Sequence, residues 1–191
     1  MRIGIIADGQ AEAQALEHLV CRMARSGRIV LKPVYADMQP YAPFPQIVRA
    51  AESRIGLLSQ RGAQRYIILL DREQNEDCPG KYAARIQSEF NRMGHGNVDV
   101  VLKNRAFENW LVADLRSIAR AQPKRIKLTD RIVQRIEQSG ADNVNALAVL
   151  NGCISDGYSK RSDAIAICKT IDPATAQRFS RSFRRFAKIV C

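Results

Sequence analysis

The sequence predicts an α/β protein: a mostly parallel four-stranded sheet, helices covering it, and a helical C-terminal part. Three observations lead there. Short apolar runs alternate with amphipathic stretches through the first hundred residues. The runs are continuous rather than alternating, which suits strands buried on both faces. Beyond about residue 105 only helical patterning recurs.

The elements follow in order. Ile3-Gly-Ile-Ile-Ala7 reads as a first strand. Leu16, Leu19, Val20 and Met23 recur at helical spacing, and Gly27 provides a stop. Ile29–Tyr35 reads as a second strand, placed at an edge or bent by Pro33, which has no N–H to give a ladder. Ile47, Ala51, Ile55 and Leu58 mark a second helix closed by Gly62. Tyr66–Leu70 is the third strand. Ala83, Ile86, Phe90 and Met93 mark a third helix closed by Gly94, and Val98–Leu102 is the fourth strand. Parallel strands joined this way use right-handed crossovers. Helices are then expected over 107–120, 129–139, 143–151, 160–170 and 173–189, with Thr129-Asp130 and Asp172-Pro173 as start signals. The natural division is a core over 1–105 and a helical region over 106–191 packed on it, or one domain over 1–191.

Composition narrows the function classes. The chain has 191 residues, 46% hydrophobic and 26% charged, with no apolar run near the roughly 20 residues of a membrane helix. The first residues do not resemble a signal peptide, so a cytoplasmic location is expected. Five scattered cysteines without a C-x-x-C pair and only two histidines, His18 and His95, exclude a clustered zinc site; free thiols are expected, and buried ones. The net charge of +11 is uneven. Residues 1–100 hold 13 Lys and Arg against 11 Asp and Glu, whereas residues 101–191 hold 17 against 8. Such a basic half either serves solubility or meets a polyanion such as DNA or RNA.

The chemistry-bearing residues sit at strand ends. The first strand ends in Ala7-Asp8-Gly9-Gln10-Ala11-Glu12, and the third in Leu70-Asp71-Arg72-Glu73, with Glu76 and Asp77 close behind. Ligands of parallel sheets bind beyond the carboxyl ends of the strands. Either cluster alone reads as a helix cap or a solvated loop. Together, at equivalent ends of one sheet, they favour a divalent cation, Mg²⁺ or Mn²⁺, held by Asp8, Asp71 and Glu73. Asp8, Glu12 and Asp71 are then the candidate catalytic groups, as metal ligands or general base. No phosphate-cradling glycine loop is present. Glu108 stands either within reach of these acids or paired with Arg105.

At 100° per residue, Phe179, Phe183, Phe186 and Val190 share one face of the last helix. Arg178, Arg181, Arg185 and Lys188 take the other, with Arg184 close by. This face is either solvated or a site for a phosphate backbone, which guanidinium groups grip through paired hydrogen bonds. Lys160 and Arg161 either supply positive charge to a transition state or are simply solvated.

The strand ending in acid-Gly-x-x-Glu, followed by a strand ending in Asp-x-acid, resembles the toprim arrangement of topoisomerases, primases and OLD-family nucleases. More narrowly, the chain resembles a bacterial family of small toprim-related proteins of unknown function, often found beside ATPase partners in defence-type gene clusters. Ala106-Phe-Glu-Asn-Trp-Leu111, Tyr158-Ser-Lys160-Arg-Ser-Asp163 and Arg181-Ser-Phe183-Arg-Arg-Phe186 match its later signatures. The resemblance implies a toprim/Rossmann-like core, with Asp8 as first-motif acid and Asp71 and Glu73 as the metal-binding pair. Most toprim sequences carry Glu where this chain has Asp8, and Asp where it has Glu73. The implied activity is divalent-metal-dependent phosphodiester cleavage, as a nuclease in phage defence with an ATPase partner. The alternative is a non-catalytic subunit that binds nucleic acid or that ATPase. Nucleic-acid contacts are assigned to Arg178, Arg181, Arg184, Arg185, Lys188 and Lys160, with no membrane partner.

Overall fold

A computed structural model describes residues 1–23, 27–73 and 77–191. The N-terminal half runs β1 (Arg2–Ala7), α1 (Gln10–Met23), β2 (Ile29–Val30), β3 (Val34–Tyr35), α2 (Phe44–Gln60), β4 (Arg65–Asp71), α3 (Pro79–Arg92) and β5 (Val98–Lys103). The sheet order is β2-β1-β4-β5, with β3 also on β1, and every pairing is parallel.

Among the described residues the sheet therefore has five strands where four were expected. The difference lies at Pro33. Leu31 N–H still donates to Ile3 O and Ala36 N–H to Ala7 O, but the proline between them offers no donor. The edge strand splits there into β2 and β3.

Each strand sends alternate residues to opposite faces. Ile3, Ile5, Ala7, Ile67, Leu69 and Val101 face α1 and the C-terminal helices. Ile6, Ile68, Leu70, Val100 and Leu102 face α2 and α3. Gly4 permits close approach of α2: a Cβ there would lie 2.8 Å from Leu58 Cδ1. The stops expected at Gly62 and Gly94 are real, both with φ near +85°.

The C-terminal part holds α4 (Glu108–Leu111), a 3-10 turn (Val112–Asp114), α5 (Leu115–Ala121), α6 (Asp130–Ser139), a 3-10 turn (Ala141–Asn143), α7 (Ala146–Cys153), α8 (Ser162–Thr170), α9 (Pro173–Phe179) and α10 (Arg181–Val190). Its apolar residues join the cluster of the α1 face, so both halves of the chain share one core. Trp110 is fully buried, stacked on Phe186 at 5.0 Å and edge-on to Phe183 at 5.3 Å. Its Nε1–H donates to Ser182 Oγ at 2.8 Å.

Two expected helices are interrupted. The 107–120 stretch passes through the 3-10 turn because Asp114 caps α5, accepting from Ser117 N–H, and also accepts from Asp172 N–H at 2.8 Å. The 173–189 stretch breaks at Ser180. There the buried Asp142 accepts from Ser180 Oγ, Ser182 Oγ, Arg181 N–H and Ser182 N–H, drawing the backbone out of the helix and starting α10 anew. Phe183, Phe186 and Val190 remain buried, while Arg178 belongs to a different helix from the other basic residues. All five cysteines are free; Cys153 and Cys168 are buried, but Cys21 and Cys78 are exposed. Among the described residues no helix is long and apolar enough to cross a membrane.

Candidate metal centre

β1 and β4 are neighbours, with Ala7 opposite Leu69. The register brings Asp8, the residue after Ala7, and Asp71, two after Leu69, to one rim of the sheet. Asp71 N–H donates to Asp8 Oδ2 at 2.6 Å, so one acid fixes the backbone that carries the other. Glu12 lies in the first turn of α1 and is 2% exposed. Gly9 leaves its carboxylate room, since a Cβ there would sit 3.3 Å from Glu12 Cβ and 3.5 Å from Oε2. One oxygen from each of Asp8, Glu12 and Asp71 lies within 4.8 Å of the other two. That is a donor set for a hard divalent cation.

A fourth side chain enters this space. Lys103 ends β5 directly opposite Asp71 and is fully buried. Its Nζ donates to Asp8 Oδ1 at 2.7 Å and to Glu12 Oε2, and lies 2.9 Å from Asp71 Oδ1 as an ion contact. Among the described residues, the buried Glu12 Oε1 has no hydrogen-bond partner. With every group ionised the cluster carries three negative charges against one positive.

The electrostatics follow. Burial pushes the Glu12 carboxyl well above the ordinary range, and Asp8 and Asp71 push the same way against Lys103. Burial raises Asp71 too, helped by Asp8 and opposed by Lys103. Burial pulls Lys103 down, but Glu12, Asp8 and Asp71 together outweigh it and hold the ammonium well above its usual value.

Asp71 opens onto a cleft of about 1130 Å³ whose walls include Glu73, Glu108, Asn145, Tyr158 and Lys160. Glu108 is buried and answers to the far wall: Tyr158 Oη–H donates to its Oε1 at 3.4 Å, and Lys160 Nζ lies 3.6 Å from the same atom. Burial and the Glu108 charge push the Tyr158 hydroxyl strongly upward. Glu108 thus faces the cleft beside Lys160 rather than completing the triad.

Glu73, expected as a metal ligand, is exposed and lies outside the triad. Its backbone takes φ +52° and its N–H donates to Arg105 O at 2.7 Å, which turns the chain away just after Asp71. Glu12, which stands four residues after Asp8, supplies the third oxygen instead. Glu76 lies outside the described residues.

A second cleft of about 600 Å³ is lined by Arg178, Arg181, Arg184 and Arg185. The two clefts share Asn104, Asp142 and Asn143 in their walls. Arg184 is partly committed, donating to Gln177 O and Arg178 O, and Arg178 lies over the Phe179 ring at 5.5 Å. Lys188 is exposed but stands outside both walls. Among the described residues, Arg181 and Arg185 are exposed guanidinium groups of that wall with no such tie.

Of the residues singled out in the sequence, Asp8, Glu12 and Asp71 come together; Lys103 was not among them. The available signal was positional: Lys103 closes an apolar strand as Asp71 closes its neighbour. Comparison with known proteins adds a family. No curated protein and no solved structure matches the chain. The family model for a domain of unknown function, DUF4276, matches residues 7–190, and the chain belongs to that family.

Proposed function

We propose that the chain is a divalent-metal-dependent phosphodiester-cleaving protein of toprim type, acting on DNA or RNA. The observation that carries this reading is the convergence of Asp8, Glu12 and Asp71 to within 4.8 Å at the carboxyl rim of a parallel sheet. The residues fit a Mg²⁺ or Mn²⁺ ion: the donors are hard oxygens, the cluster is short of positive charge, and Glu12 Oε1 is buried without a partner. A divalent ion held there supplies Lewis-acid activation of a phosphoryl oxygen and of water. The chain's own residues do the rest. Lys160, at the wall of the same cleft, offers positive charge to phosphate oxygens. Arg181 and Arg185 hold the neighbouring backbone, sequence-independently and in a salt-dependent way. A defence setting with an ATPase partner belongs to this reading through the resemblance alone.

One observation favours a second reading, a non-catalytic subunit that binds nucleic acid or an ATPase. Lys103 already neutralises part of the triad, as a structural ion cluster would require. One experiment separates the two. The purified protein and Asp71→Asn are incubated with single- and double-stranded DNA and RNA, with and without Mn²⁺. Mn²⁺-dependent cleavage absent from Asp71→Asn supports the enzyme. Binding without cleavage supports the subunit. Cleavage untouched by the substitution overturns the site.

A further inference from the structure

We propose that Lys103 is the resident cation of the acid triad, a side chain that occupies one cation position among Asp8, Glu12 and Asp71 and thereby lowers the number or affinity of divalent ions the site accepts. The inference rests on the metal reading for its ligand, but not for the lysine's place. Three carboxylates drawn from β1, α1 and β4 repel one another when brought this close, and burial strengthens the repulsion. An ion from solvent is one remedy. The fold has a covalently attached remedy as well: β5 delivers a fully buried ammonium that reaches all three groups. A lysine so placed is not a solvated surface residue that happens to lie near acids. It has no exposed area, and its strand register with Asp71 fixes where its stem begins.

The lysine does not exhaust the site. Asp8 Oδ2 is taken by Asp71 N–H, but Glu12 Oε1 is left buried and unpartnered on the same cluster. Two positive charges are still needed for neutrality when all three acids are ionised. The arrangement therefore has room for one divalent ion beside Lys103, not for a pair of ions sharing the three carboxylates. It also keeps the acids assembled between metal-binding events, so that binding needs no large rearrangement.

The test is Mn²⁺ titration of the full chain by calorimetry and by electron paramagnetic resonance, for the wild type and Lys103→Met, which keeps the apolar stem. The wild type is expected to take up one ion. Lys103→Met is expected to bind Mn²⁺ at least tenfold more tightly or to take up a second ion, and to melt at a lower temperature than the wild type only when metal is absent. Unchanged stoichiometry and affinity in Lys103→Met, or weaker binding, overturns the proposal and leaves the metal reading standing. A wild type that binds no Mn²⁺ while Lys103→Met does supports the resident lysine and overturns the metal-dependent reading. No binding by either overturns both. Should Lys103→Met fail to fold even with Mn²⁺ present, the wild-type stoichiometry decides: two ions per chain is incompatible with the lysine holding a cation position.

Discussion

The backbone N–H of Asp71 donates to the Asp8 carboxylate at 2.6 Å, so the tip of β4 is held by the tip of β1. This bond does two things at once. It ties two strand ends whose side chains repel, and it leaves Asp8 Oδ1 aimed at Lys103. Removing it is expected to be felt in both stability and metal binding. Asp8→Ala leaves Asp71 N–H and one side of a buried ammonium unpaired, with an expected cost of about 3 kcal/mol. Urea denaturation measures the loss, and Mn²⁺ titration should show affinity reduced at least tenfold. A variant as stable as the wild type would mean that Asp8 does not hold the two strand ends together.

The pH dependence has an unusual sign. Glu12 and Asp71 have raised folded-state values, so between the unfolded values near about 4 and the raised ones the native state binds more protons. Their contribution to stability therefore declines as pH rises through that window. Lys103, also raised, contributes stability that is present below about 10.4 and is lost as pH climbs through its folded value. In the metal-free protein, Glu12→Gln is expected to gain on the wild type in melting temperature as pH rises from about 4 to 8, with Mn²⁺ at pH 8 reversing that gain. Thermal melts across pH, with and without Mn²⁺, check both signs.

Asp142 starts α10 by accepting four hydrogen bonds from residues 180–182. Asp142→Ala is expected to cost about 3 kcal/mol, because two backbone N–H groups and two hydroxyls lose their acceptor. Trp110 reports the effect: it is the only tryptophan and packs between Phe183 and Phe186 of that helix. Its emission should shift to the red on loosening of α10, at denaturant concentrations where the wild type remains blue-shifted.

Arg181 and Arg185 are expected to weaken nucleic-acid binding when changed to Glu, uniformly across sequences. Each lost phosphate contact should reduce the salt slope by roughly 1. Lys188→Glu, outside both clefts, should change binding less. Fluorescence anisotropy at several salt concentrations reads all three. Equal effects from Lys188 and Arg181 would place the interface elsewhere than the second cleft.

The α/β class, the mostly parallel sheet and the three acids that come together were all legible in residue order. An apolar run that ends in an acid identifies both a buried strand and what it delivers, and that information is local. The edge strand's bend was legible for the same reason, because a proline removes a donor wherever it stands. The split of the last helix was not. Arg178 to Lys188 shows an uninterrupted helical period, and the break comes from Asp142, nearly forty residues earlier, which outcompetes the helix for its own N–H groups. Glu73 looked like a ligand from its spacing, but a positive φ and a bond to Arg105 turn it outward. Lys103 was the least legible of all. A lysine at a strand end ordinarily reaches water, and its one signal, the place at the end of an apolar strand, gains meaning only once β5 is paired with β4. Sequence by itself determined which segments form the sheet and which of its ends are acidic. Only the tertiary structure decided that three acids from separate elements close around one ammonium, because burying charge is tolerable only when partners distant in the chain arrive together.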